Sequence, residues 1–95
     1  MMYAVTLKSI GNIDHGENPY ESLPGVPDKT MICVSIEDCQ QCVEEYIDEY
    51  DLGAGNWDGG DVYEYLGKLI GHISYNGRYW TLAEWNKMND VEWGE

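Results

Sequence analysis

Apolar and polar residues trade places along this chain with two different periods, and the changes of period mark its elements. From Tyr3 to Ile10 they alternate loosely, the pattern of a strand with one buried face. The pattern then vanishes. Residues 11–29 are rich in Gly, Pro, Asn and charge, with Asn18-Pro19, Leu23-Pro24 and Val26-Pro27 among them. The residue before a proline is steered to extended backbone, so this stretch predicts a long loop. A second β-rich run spans Thr30 to Ile36.

Ser35 opens a different pattern. It is a good helix N-cap, and Asp38 stands three residues later in the place of a capping-box acid. Cys39, Cys42, Val43, Tyr46, Ile47 and Tyr50 follow at helical spacing, which lays one apolar stripe along a helix from Glu37 to about Leu52. Gly53 is the expected C-cap. Beyond the connection Ala54 to Gly60 the period returns to two. Val62–Tyr65, Lys68–Tyr75 and Arg78–Thr81 predict three strands, with turns at Leu66-Gly67 and Asn76-Gly77. Asn-Gly is the favoured sequence of a type I′ hairpin. Thr81 and Glu84 repeat the capping-box spacing and predict a short helix from Leu82 to Met88. Residues 89–95 predict a loose acidic tail.

The order β-β-α-β-β-β predicts an α+β fold. It is a small antiparallel sheet with one amphipathic acidic helix packed on one face and a short helix at the C-terminal end. The 95 residues fit one domain, 1–95. Eight Tyr and four Trp supply large apolar surfaces for a small core and for a binding face.

Charge sharpens this picture. Eighteen acidic residues face five Lys and Arg, a formal net charge of −13. Such an excess repels nucleic acid and anionic lipid, and attracts basic protein surfaces or metal cations. Disorder also accompanies high charge, but the aromatic and β-branched content argues against it. The excess is not spread evenly. No Lys or Arg occurs between Lys29 and Lys68. Within that gap Glu37, Asp38, Glu44, Glu45, Asp48, Glu49 and Asp51 lie off the apolar stripe, and Asp58, Asp61 and Glu64 continue the block. A solvated helix face normally mixes both signs and gains from i, i+4 pairs; here Glu44-Asp48 and Glu45-Glu49 repel. Glu49 and Asp51 also oppose the helix dipole. A tolerated cost points to a use.

One use is imitation of nucleic acid. Carboxylates four residues apart on a helix stand roughly 6 Å apart along its axis, and each strand of duplex DNA carries a charge about every 3.4 Å. The expected activity is therefore binding, not catalysis: blocking of a basic nucleic-acid-binding surface on a nuclease, a CRISPR effector or a restriction enzyme. The residues expected to carry it are Glu44, Glu45, Asp48, Glu49, Asp51 and Asp58, with Tyr50 and Trp57 as aromatic anchors. In general character the chain resembles phage anti-CRISPR and antirestriction DNA mimics, which are short, acidic, cytosolic and aromatic-rich. The resemblance is one of composition and implies an inhibitor encoded by a phage or mobile element. Bacterial toxin-immunity proteins share that character, so an immunity-type or antitoxin partner of a cognate toxin is the alternative. Tyr46, Tyr50 and Trp57 would be its hot spots.

Three other chemistries compete with this reading. Cys39 and Cys42 form a C-x-x-C, and Cys33 and His72 would complete a four-ligand zinc site. No second ligand pair accompanies it, and both cysteines sit on the apolar stripe, where a free thiol acts as a small hydrophobe. A small metal-binding domain is the second alternative; no cofactor is expected. A calcium loop between Asp48 and Asp61 fails on spacing: counted from Asp48, ligand positions 3 and 5 are Tyr50 and Leu52. His15 and His72 lie in no pattern of a catalytic triad. No secretory leader or membrane span is legible, and an odd count of three cysteines suits a reducing compartment, so the cytoplasm is expected.

Overall fold

The computed structural model describes residues 2–64 and 67–93, with backbone alone for 88–93. Five strands form one sheet: β1 (Tyr3–Leu7), β2 (Lys29–Cys33), β3 (Asp61–Glu64), β4 (Leu69–Ile73) and β5 (Tyr79–Thr81). Two helices accompany it, α1 (Ile36–Glu49) and α2 (Leu82–Trp93). Spatial order is β2-β1-β3-β4-β5, and every pair is antiparallel. This is the expected α+β arrangement. The chain's first strand lies inside the sheet because β3 adds to its free side, leaving β2 and β5 as the edges.

Period-two alternation decides which side chains meet α1. Val5, Leu7, Cys33, Val62 and Ile73 turn to one face and are buried there. Cys39, Val43, Tyr46 and Ile47 come down on them from α1. The predicted stripe is thus the seam of the core, with Cys42 and Tyr50 at its half-covered margins. The opposite face carries His72, Asp61 and Trp80. There α2 packs over β4 and β5, Trp85 stacking on His72 with ring centroids 4.1 Å apart and meeting Trp80 edge-on. Arg78 lays its guanidinium 3.7 Å above the Trp80 ring.

Several boundaries moved, each for a local reason. Ser35 caps α1 as expected, its Oγ accepting the Asp38 N–H at 3.1 Å. The C-terminal end falls short of Leu52. Tyr50 is the cap, not Gly53, and Asp51 takes the left-handed conformation at φ 52°. The Leu52 N–H reaches back to the Ile47 carbonyl and that of Asp51 to Asp48. This is a Schellman closure with aspartate where glycine is usual. What fixes it is Leu52, only 4% exposed, which must turn back onto the core beside Ile47. The Asn76-Gly77 turn is not type I′. Only Gly77 has positive φ, the Gly77 N–H donates to Ser74 O, and Ser74 pairs with Arg78 across a three-residue loop. Asn76 keeps ordinary negative φ, as in a type I turn followed by a left-handed glycine. Finally, α2 runs on through Asn89 to Trp93, where a loose tail was expected; no Gly or Pro interrupts that stretch before Gly94. Tyr65 and Leu66, assigned from sequence to a strand end and a turn, lie outside the described residues, as do Gly94 and Glu95 of the tail.

The long loop is stitched rather than open. Its register depends on the connection between α1 and β3. Asn56, 8% exposed, donates through Nδ2 to the Ile10 carbonyl at 3.0 Å and to Glu17 Oε1 at 3.1 Å. Its Oδ1 accepts the Gly53 N–H, and its backbone carbonyl accepts the Ile10 N–H. Trp57 Nε1 donates to the Ile73 carbonyl at 3.2 Å.

Candidate partner-binding surface

At about 100° per residue, Glu37, Asp38, Glu44, Glu45, Asp48 and Glu49 fall within an arc of roughly 140° around α1. That arc is the complement of the buried stripe, and all six side chains are exposed. The helix therefore sorts its sequence completely: apolar residues onto the sheet, acids outward. Asp51 extends the row at the C-terminal cap and is also exposed. Asp58 is exposed beyond Trp57, its N–H donating to the Lys8 carbonyl, so it belongs to the connection rather than to the helix face.

Among the described residues no Lys or Arg comes within ion-pair distance of the row. Among the described residues the ion pair within 4 Å is His72 with Asp61, at 3.3 Å, and it lies on the other side of the sheet. Lys29, the nearest cation in sequence, holds its ammonium 5.6 Å from the Tyr50 ring centroid. Within the row's own face Gln41 Nε2 donates to Glu45 Oε2 at 3.0 Å.

The two predicted aromatic anchors are half-buried. Tyr50 packs edge-on to Tyr46 at 5.0 Å under Lys29, and Trp57 meets Tyr46 at 6.0 Å while its indole N–H is held by Ile73. Sequence reasoning missed a third aromatic. Tyr75, 41% exposed, projects from the three-residue turn over the end of α1, its hydroxyl donating to the Leu52 carbonyl at 3.1 Å. Gln40 ties the same turn to the helix through the Gly77 carbonyl at 2.9 Å. Between them a cleft of about 240 Å³ opens, floored by Val43 and Ile47 and walled by Glu44, Asp48 and Tyr75. An aromatic wall beside two carboxylates, over an apolar floor, suits the stem and charged end of a Lys or Arg side chain. The Asn-Gly pair marked the turn, but its extra residue, which aims Tyr75 at the helix, is not written in that dipeptide.

The thiols behave differently. Cys33 Sγ and Cys42 Sγ lie 3.6 Å apart, with Cys39 buried beside them; all three are free. Burial pushes the thiols of Cys33 and Cys42 up to about 11, and that of Cys39 upward as well. They stay protonated at neutral pH. His72, the proposed fourth ligand, is on the opposite face of the sheet against Asp61 and Trp85. Among the described residues no group of three His, Cys, Asp or Glu side chains converges on a point where a metal ion would sit.

No protein-family model, curated protein or solved structure matches the chain. Among the described residues no helix is long and apolar enough to cross a membrane.

Proposed function

We propose that this protein is an acidic inhibitor that binds a basic, nucleic-acid-binding surface of another protein, with the outer face of α1 taking the place of a phosphate row. One observation carries the reading: six exposed carboxylates on a single helix face, with no Lys or Arg in ion-pair reach among the described residues. Glu44, Glu45, Asp48 and Glu49 form its centre, Asp51 and Asp58 extend it, and Tyr50 and Trp57 back it from the half-buried margin. The nearest functional classes are anti-CRISPR and antirestriction proteins of phage or mobile-element origin, acting in the cytoplasm, where free thiols persist. Steering by the net charge of −13 would make association fast and salt-sensitive.

The test is capture from a lysate, read three ways. The captured protein should bind nucleic acid, be displaced by duplex DNA, and be lost when Glu45, Asp48 and Glu49 are all changed to Lys. Each step of added salt should weaken the complex steeply. Undiminished capture by the folded triple variant removes the reading.

A second reading, the immunity-type partner of a toxin, is favoured by the cleft beside Tyr75. Such a partner would insert one basic side chain there, and affinity would follow the aromatic groups more than ionic strength. Tyr75→Ala would then abolish binding while salt had little effect.

A further inference from the structure

The sheet has one edge that the fold leaves undefended. β5, at the far side, has three residues and runs directly into α2. β2 has five, and among the described residues only β1 pairs with it. Its outward backbone groups can be assigned by parity. The Thr6 carbonyl accepts the Gly60 N–H, so Thr6 faces β3. Thr30 stands opposite Thr6 in register, and Ile32 opposite Ala4. In an antiparallel ladder such partners face away from each other together. The N–H and C=O of Thr30 and Ile32 therefore point off the sheet. The usual protections of an edge are inward-pointing charge, proline, a bulge or a covering segment. β2 has one of them, Lys29 at its first residue, turned to the α1 side over Tyr50; among the described residues none occupies Thr30 to Val34. That stretch instead exposes Met31 at 40%, Ile32 at 51% and Val34 at 67%.

The two sides of this edge differ in chemistry. Toward α1, a shallow groove runs beside Met31, lined by Glu45 and Glu49 of the helix and by Lys29 at the start of β2, with Tyr46 at its base; two carboxylates against one ammonium leave it net acidic. On the other side of the sheet lie Thr30 and Ile32. We propose that β2 is a docking edge for an extended segment of a partner protein, one in which Lys or Arg alternates with β-branched or apolar residues. Added as a sixth strand about 4.8 Å beyond β2, such a segment satisfies the Thr30 and Ile32 backbone groups. Its basic side chains reach Glu45 and Glu49, and its apolar ones extend the surface of Ile32. A second copy of this chain is the wrong occupant. Pairing β2 with itself would bring together two proteins of −13 charge each, and the chain's five cations never alternate in a strand.

The inference shares only Glu45 and Glu49 with the proposed function and otherwise needs the sheet edge, so the two can fail separately. The probe is a peptide of about ten residues in which Lys alternates with Val or Thr, compared with a scrambled peptide of equal charge. Binding is followed by titration calorimetry and by amide hydrogen exchange. The alternating peptide should bind at least about tenfold more tightly than the scrambled one, and should slow exchange at Thr30 and Ile32. Ile32→Pro removes one outward N–H without touching the ladder to β1. It leaves every carboxylate in place and should weaken the alternating peptide about tenfold or more. Thr30→Pro is the second variant should Ile32→Pro fail to fold, which circular dichroism reports. Equal binding of both peptides, unchanged exchange at Thr30 and Ile32, or full affinity in the folded Pro variant would each overturn the proposal. So would slow exchange of those two amides in a sedimenting dimer of the protein alone.

Discussion

Two neighbouring stretches, α1 with its cap and the connection 52–60 that follows, solve their local problems in opposite ways. In the connection every polar side chain that is buried has a partner. Asn56 makes three side-chain hydrogen bonds, Trp57 one, and among the described residues no buried side-chain nitrogen or oxygen is left without one. Gly59 and Gly60 fit spaces that admit nothing more. A Cβ on Gly60, at φ 101°, would sit 2.1 Å from the Ile73 carbonyl oxygen, and one on Gly59 would meet Thr6 and Lys8 backbone at 2.6 and 2.7 Å. The helix face is the reverse. It repeats one sign of charge, repels itself at i, i+4, adds Asp48 and Glu49 at the end where acids oppose its dipole, although Glu37 and Asp38 in the first turn suit it, and is followed by an aspartate in a glycine's conformation. The connection is optimised for folding; the helix face is not. That asymmetry is the ground for proposing that the outer face of α1 meets a partner.

The comparison breaks most sharply at Asn56. Asn56→Ala removes bonds to both Ile10 and Glu17 and strands buried backbone, so it should lower stability by about 2–4 kcal/mol. Gly60→Ala should do at least as much, through its strained φ and the contact with Ile73. Urea unfolding measures both. If either variant were as stable as the parent, the connection would not be the structural lock described here.

Charge reversal on α1 should move stability the other way. Changing Glu45, Asp48 and Glu49 to Lys makes an attractive pair of Glu44 with residue 48 and places cations on the negative end of the helix. Residues 45 and 49 still repel as two cations and the Gln41 bond to Glu45 is lost, so a net gain of about 0.5 kcal/mol is expected alongside the loss of binding. A variant that lost both binding and stability would mean the acids support the fold, and the asymmetry would vanish.

Much of this was legible in the chain. The helix wrote its own boundaries on one side, through Ser35 and the six-residue apolar stripe, because capping and helical period are local properties. The meander was legible for the same reason. The outward acid block was visible too, since any residue off the stripe of a helix with one buried face must point to solvent. What stayed hidden depends on contacts between distant segments. The C-terminal cap is set by Leu52 meeting the core, not by the first glycine downstream. The connection 53–60 looked like an ordinary glycine-rich link, because the bonds that make it a hub run to residues 10, 17 and 73. Insertion of β3 beside β1, which leaves β2 exposed as an edge, is likewise a matter of topology rather than of local pattern.

Asp51 tests the comparison at its joint. Asp51→Gly relieves a left-handed side chain and removes an acid from the helix end, so the protein should gain about 0.5–1 kcal/mol. The same change deletes one exposed charge of the proposed surface, and affinity should fall by less than about tenfold, as for a single exposed ionic contact. Stability rising while binding falls is the signature of a strained residue kept for its surface. If binding were unchanged, Asp51 would belong to neither function.

The smallest effect expected is one of pH, and it falls on Glu17, the loop carboxylate that Asn56 of the connection binds. Glu17 is held below the ordinary carboxylate range, first by the Asn12 N–H at 3.0 Å and then by the Asn56 side chain. A group whose folded pKa is depressed contributes stability above its unfolded pKa and loses it as pH falls through the folded value. Glu84 is lowered in the same sense, by the Thr81 backbone N–H and then its hydroxyl, as the capping box at the start of α2. Replacing Glu17 by Gln keeps the shape and removes the charge. The melting temperature of the parent should exceed that of Glu17→Gln by a constant margin near neutrality, and the margin should close as pH falls below about 4. Glu84 is present in both proteins and cancels from the difference. A gap that persisted unchanged at low pH would show that Glu17 acts through packing, and the connection would then owe nothing to its one ionised partner.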